Sequence, residues 1–231
     1  MYRVATLFAA LASFAVPAAA QDYRGVAFGG ASVGDGASGY AGAVVALPGN
    51  RLGRGLAIRS TINGGQYRYT TGGQRIEADY VGAEAALVYQ FSGDWGYANL
   101  GAGPRVTDTT LSPDDPLNER RGTSWDLGVT SDGTLNLAPL WRLNWYGSFG
   151  VIEGPYQARV GVARVLNSER QTRLGVEAAI AGDPRYTTTS GGVFLASRIG
   201  RNLEGNVTAG VLKPEGRDVQ PFGSLGISIL F

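Results

Sequence analysis

Neither cysteine nor histidine occurs among the 231 residues, and Lys213 is the only lysine. Without cysteine no disulfide framework can hold the fold, so the backbone ladder and side-chain packing must do it. Without either residue, Ser-His and Cys-His nucleophile arrangements and the usual zinc sites are removed in one step, so no enzyme and no metal are expected. Charge of one sign is lacking too: 20 Lys+Arg against 19 Asp+Glu leave a net +1, with no basic patch or tail, so no nucleic-acid partner is expected. No GxxxxGK[ST] phosphate loop occurs, the glycines lie outside any βαβ frame, and no cofactor is expected.

Long hydrophobic runs are scarce, the first twenty residues excepted. MYRVATLFAALASFAVPAAAQ has one early charge at Arg3, an apolar run from Val4 to Val16, and small residues ending Ala18-Ala19-Ala20 before Gln21. These are the three regions of a secretory signal peptide. The run is well short of the roughly 20 residues that a spanning helix needs. The expected organisation is therefore a signal peptide at 1–20 and a single domain at 21–231.

Beyond residue 20 no helical stripe appears, whereas apolar residues alternate with polar or small ones between Gly, Asn, Asp, Ser and Pro clusters. Leu225, Ile227, Ile229 and Phe231 share one face, with Ser224, Gly226 and Ser228 on the other. Val160 and Val162 oppose Arg159 and Gly161, and Leu174, Val176, Ala178 and Ile180 oppose Arg173, Gly175 and Glu177. The fold class is all-β. A soluble sandwich alternates as well, so alternation alone does not separate it from a membrane barrel, whose apolar face meets lipid. The signal peptide, the aromatic residues near segment ends and the terminal Phe231 favour a closed antiparallel transmembrane β-barrel. The ending with Ile227, Ile229 and Phe231 resembles the C-terminal signature by which outer-membrane barrels are recognised for assembly.

Segments near 22–32, 38–48, 54–69, 74–91, 95–107, 121–137, 140–151, 155–166, 171–181, 189–199, 204–213 and 219–231 make about 12 strands, with ten open because the glycine-rich first two are weak. An even count returns both termini to the periplasmic side. The short connectors near 92–94, 138–139 and 167–170 then fall on that side, and the longest, 108–120, falls outside. Trp95, Tyr97, Tyr89, Phe91, Trp141 and Trp145 near one set of ends, and Tyr67, Tyr69 and Tyr80 near the other, suit interfacial girdles. With the apolar faces outward, Arg59, Arg68, Glu84, Asp126, Arg142, Arg159, Arg173 and Glu177 point into the lumen, joined by Asn63, Asn144, Tyr146 and Ser148. Paired, these charges fill and stiffen the barrel; unpaired, they line a track for a polar or acidic solute.

The stretch LSPDDPLNERRGTSWDLGV, Leu111 to Val129, and the paired glycine-rich segments before it, Tyr80 to Gly103, resemble the cellulose biosynthesis protein BcsS family. Ser112, Pro113, Asp114, Asp115, Pro116 and Asn118 match the family's S-P-D-D-P-x-N run, and no catalytic role comes with them. Pro113 and Pro116 restrict the chain and Asp115 and Asn118 favour turns, so the loop is stiff for its length. It either folds over the mouth or stays a turn-rich loop without a partner. The resemblance implies an outer-membrane protein accessory to cellulose or exopolysaccharide biosynthesis or export; a small-solute porin or a filled structural barrel are the alternatives. Expected partners are outer-membrane lipid, the barrel assembly machinery and, through the resemblance, polysaccharide or cellulose synthase components.

Overall fold

The computed structural model describes residues 23–231 except Gly72, Leu117, Glu119, Ser168, Arg170 and Arg185. The expected signal peptide at 1–20 lies outside the described residues. The strands are β1 (Gly25–Val33), β2 (Ala37–Ala46), β3 (Gly55–Thr71), β4 (Gln74–Gly93), β5 (Gly96–Ser112), β6 (Gly122–Ala138), β7 (Trp141–Gly150), β8 (Tyr156–Asn167), β9 (Thr172–Asp183), β10 (Tyr186–Arg198), β11 (Leu203–Pro214) and β12 (Gln220–Leu230). Each pairs antiparallel with its chain neighbour, and β1 pairs with β12 to close the barrel. Twelve strands are therefore present, and the glycine-rich β1 and β2 are both part of the wall. One departure from the expected boundaries is β5, which runs to Ser112, so its connector to β6 is shorter than the 108–120 anticipated.

Closure leaves no strand edge unpaired, which is what a backbone in hydrocarbon requires. The face assignment also follows. On β4 the outward residues Val81, Leu87, Tyr89 and Phe91 are exposed, while Ala86, Val88 and Gln90 are buried inside. Val160, Val176 and Ile227 are likewise outward and exposed, so they do not meet in a dry core between two stacked sheets. From Val81 to Phe91 the outward apolar stretch spans about 25 Å along the barrel axis, taking a rise of roughly 3.3 Å per residue and a tilt of roughly 40°. Tyr89, Phe91, Trp95, Trp141 and Phe231 decorate its rim at the end holding both termini, and Trp125 and Phe149 its other half.

The walls differ in height. Strands β3 to β6 have 17 to 20 residues, whereas the remaining strands have 9 to 13. The surplus rises at the end away from the termini, here termed the far end. There the polarity of the wall inverts. Tyr67, Tyr69, Ile76, Ala78 and Leu111 are buried on the inner face, and Arg68 and Glu77 pair on the outer face at 2.8 Å.

That inversion corrects two expectations. Arg68 does not enter the lumen: it shares the outer face with Ile58 and Ile62, and its side chain is 49% exposed. Tyr67, Tyr69 and Tyr80 do not form a girdle; they pack inward on Tyr186 of β10, from the opposite wall. Above an apolar belt the outside of the wall meets water, so the polar residues turn outward and the rings fill the inside. Tyr97 is also inward and buried, unlike its neighbours Trp95 and Phe91.

Glycine matters most where strands crowd. A Cβ at Gly103 would lie 1.9 Å from the carbonyl oxygen of Ala85, so no larger residue fits at this β4–β5 contact. The adjoining Pro104 has no N–H to give the ladder, and the β4–β5 pairing skips Ala85 and Ala86 opposite this dipeptide.

Candidate functional site

Among the described residues the interior is the enclosed surface of the barrel, and its side chains form three layers. At the terminal end, the β2–β3 connector (47–54) turns back into the lumen. Its Leu52 is 3% exposed and packs with Val26, Val44, Ala57, Ala86 and Val88 of the inner wall. Gly53, at φ 83°, takes a left-handed conformation that suits glycine, and its N–H donates to Gln90 Oε1 at 3.1 Å. The connector is thus an inward plug on the β1–β4 side.

The middle layer is a polar network. Gln90 Nε2 donates to Asn99 Oδ1 at 3.2 Å, and Asn99 Nδ2 donates to Asp132 Oδ2 at 2.8 Å. Arg59 on β3 reaches the other oxygen of Asp132 on β6 and donates to Thr130 Oγ1 at 3.0 Å. Arg105 donates through Nε to Glu84 at 2.8 Å and through Nη2 to Ser148 at 2.7 Å. On the opposite wall Arg173 pairs with Glu204, and Arg159 lies 3.9 Å from Glu177. Arginine suits this task because its planar fork serves two acceptors at once. Between the pairs remains a cavity of about 40 Å³ lined by Asn144, Arg159, Glu177, Phe194 and Asn206.

The far end is covered. Tyr69 Oη donates to Asp115 Oδ2 at 2.9 Å and accepts from Asn118 Nδ2 at 2.8 Å, so the β5–β6 connector is drawn inward with Asp115 and Asn118 both buried. Arg120 of the same connector reaches Asp183 on β9 at 2.9 Å. Ser112, Pro113, Asp114 and Pro116 stay exposed, and Asp114 pairs with Arg121 at 2.8 Å. A second tie joins Arg217 of the β11–β12 connector to Asp35 of the β1–β2 turn, and Arg217 also donates to the carbonyl of Arg68 at 3.1 Å. Burial holds the Asp35 carboxyl above its ordinary pKa, with the Arg217 guanidinium pulling the other way.

Of the eight anticipated lumen residues, Arg59, Glu84, Arg142, Arg159, Arg173 and Glu177 line the interior. Asp126 also faces inward, but Oδ1 accepts the N–H groups of Leu127 at 2.7 Å and Ile152 at 2.8 Å and so anchors the β7–β8 connector. Arg68 alone lies outside. Sequence reasoning passed over Asp132, Arg105, Asn99, Gln90 and Glu204, although each alternates with outward apolar or small residues and strand parity alone places them inside. Ile227, Ile229 and Phe231 stand exposed on the outer face of the last strand. Among the described residues, no three of His, Cys, Asp and Glu gather in a way that could hold a metal ion.

A cavity of about 820 Å³ opens at the terminal end below the polar network, and a separate recess of about 540 Å³ lies at the far rim among Asp35, Arg68, Thr70, Arg75 and Arg217. The lumen is therefore a vestibule at the terminal end, closed above by a waist of paired side chains.

The family model described as Cellulose biosynthesis protein BcsS matches residues 26–231. No curated protein matches the sequence. Among solved structures, the translocator domain of autotransporter NalP from Neisseria meningitidis is similar with a TM-score of 0.56 at 14% identity, over 90% of this chain and 88% of that one. The TodX monoaromatic hydrocarbon channel deltaS2 mutant has a TM-score of 0.51 at 8% identity, over 90% and 89%. KdgM porin in complex with disordered oligogalacturonate has a TM-score of 0.50 at 12% identity, over 89% and 99%. At such identities the likeness speaks to the barrel fold alone.

Proposed function

The chain belongs to the cellulose biosynthesis protein BcsS family, and from that premise we propose that it is an outer-membrane barrel accessory to cellulose or exopolysaccharide biosynthesis or export, acting without catalysis and without an open pore. The observation that carries this reading is the occupied lumen: the Arg59–Asp132 pair spans from β3 to β6, and the tyrosine cluster with the β5–β6 connector covers the far mouth. A chain of pyranose rings has no passage through such an interior. The barrel serves instead as an anchored platform whose ends meet partners on either side of the membrane.

The outer-membrane location is supported by the apolar exterior of about 25 Å, the height expected of a membrane-spanning barrel belt, and by the signal peptide that the first twenty residues resemble. In that orientation the terminal end faces the periplasm and the far end the cell exterior. The lack of histidine and cysteine removes the commonest nucleophile and base arrangements, in keeping with a non-enzymatic role. Outer-membrane lipid, the assembly machinery that reads the last strand, and polysaccharide or synthase components are its proposed partners.

A strain lacking the protein is expected to deposit less surface cellulose, measured by Congo-red staining and by acid-insoluble glucan, with normal outer-membrane integrity. Unchanged cellulose would remove the family-based role. A second reading, a small-solute channel, is favoured by the open vestibule of about 820 Å³ at the terminal end. Planar-bilayer recording decides between them: the platform reading expects no ohmic conductance from the wild-type chain, and steady open channels would favour the porin.

A further inference from the structure

The 820 Å³ cavity at the terminal end is not used by the proposed platform role, and its charge is lopsided. Arg51, Arg54, Arg142, Arg173 and Arg198 line it against two carboxylates, Asp94 and Glu204. Arg173 and Glu204 neutralise each other at its floor. That leaves four guanidinium groups facing a single remaining acid, in a chain whose overall charge is close to zero.

One of these groups, and the backbone that carries two others, is held in place. Arg142 Nη1 donates to the carbonyls of Ala138 at 2.9 Å and Trp141 at 3.1 Å, which fixes its position over the β6–β7 turn. Arg51 and Arg54 exchange backbone hydrogen bonds within the inward-folded connector, Arg54 N donating to Arg51 O at 2.9 Å. The same connector is anchored by buried Leu52 and by Gly53 on Gln90. Arg198 stands on β10, across the mouth from that connector. Converging like charges in a recess bounded by a low-dielectric wall repel one another and focus a positive potential into it. Such an arrangement is relieved by an anion carrying more than one charge. Arginine forks favour the paired oxygens of carboxylate and phosphate groups, and Asn136, whose amide nitrogen is used on Asp94 O, presents an amide oxygen that can accept from a hydroxyl. The volume is that of a small-ligand site rather than of a protein-sized interface.

We infer that this vestibule is a binding site for a small polyanion bearing two or more carboxylate or phosphate groups, entered from the end where both termini lie. The inference goes beyond the platform role and does not depend on cellulose.

The test is titration calorimetry on the full chain in nonionic detergent at low salt, with trigalacturonate as the carboxylate probe, pyrophosphate as the phosphate probe and cellotriose as the neutral one. Saturable binding of trigalacturonate alone assigns a sugar acid, binding of pyrophosphate alone assigns a phosphate ligand, and binding of both assigns the shared chemistry. The double variant Arg54→Gln/Arg198→Gln is expected to weaken the interaction about tenfold or more through loss of charge-assisted hydrogen bonds. Raising the salt should weaken it further in the wild type. Both substituted residues lie at the mouth, and heat-modifiable migration of the variant checks that it is folded; Arg142→Gln provides a second readout. Absence of binding by both anions, equal binding of cellotriose, or an affinity indifferent to the folded double variant would overturn the inference and leave the platform role untouched.

Discussion

Arg59 and Asp132, 73 residues apart in sequence, meet inside the barrel with their side chains only 8% and 14% exposed. Their strands are separated in the wall by β4 and β5, so the pair bridges the interior rather than adjacent strands. It is one of the cross-links that fill the waist of the lumen.

Breaking this pair from one side should be costly. Asp132→Ala leaves the Arg59 guanidinium buried with only Thr130 as a side-chain acceptor and takes the acceptor from Asn99 Nδ2. A loss of about 3–5 kcal/mol is expected, read as an earlier midpoint in urea-induced unfolding from lipid vesicles. Arg59→Met combined with Asp132→Leu removes both charges and should recover most of that loss; a double variant as weak as the single one would contradict the account.

The lid over the far mouth is held in part by one phenol. Tyr69→Phe keeps the ring in its cluster but removes the hydroxyl that joins Asp115 and Asn118. The β5–β6 connector should then be cut by trypsin after Arg120 or Arg121 at least several times faster than in the wild type, with a cost to global stability of about 1–2 kcal/mol. Equal cleavage rates would show that the connector is held by other contacts.

Because the chain has no cysteine, single cysteines report faces cleanly. Arg68→Cys should react with a membrane-impermeant maleimide added to intact cells, since this position is outward and above the apolar belt. Val129→Cys and Leu225→Cys, both exposed on the belt, should stay unlabelled until detergent is added. A labelled Leu225→Cys in intact cells would overturn the membrane placement.

Charge placed on the belt should carry a depth-dependent penalty. Val176, 62% exposed near the middle of β9, becomes a costly site when changed to Arg, by about 2–4 kcal/mol in vesicle unfolding. The same change at Thr70, beyond the belt, should be close to neutral. Similar penalties at the two positions would argue that water, not lipid, surrounds the wall.

Much of the architecture was legible because alternation is a local property. Whether Ile227 and Ser228 point apart depends only on the geometry of an extended chain, and the turn-forming clusters mark where each strand stops, so ten of the segments and the two faces of most of them followed from residue order, while the glycine-rich first two stayed open. The inward set was incomplete only where parity was not carried along every strand, as at Asp132, Arg105 and Glu204. Arg68 was misplaced in the same way, since nine residues beyond inward Arg59 an unbroken two-residue period puts it on the outer face, and its polarity misled. Its strand keeps a strict two-residue period throughout, but the solvent outside the wall changes part-way along it, and a polar residue moves from the inner face to the outer one without any break in the pattern.

What the linear order determined by itself is therefore the alternating segments and most of the connectors, since each rests on contacts within a few residues; that both glycine-rich segments join the wall and that the apolar face is the outer one came with closure. The tertiary structure alone decided which charges neutralise each other, where the SPDDPLN connector lies and how the interior is filled. Those outcomes depend on closure: only when β1 joins β12 do the remote strands β3 and β6, or β5 and β10, face one another, and no spacing along the chain records that distance.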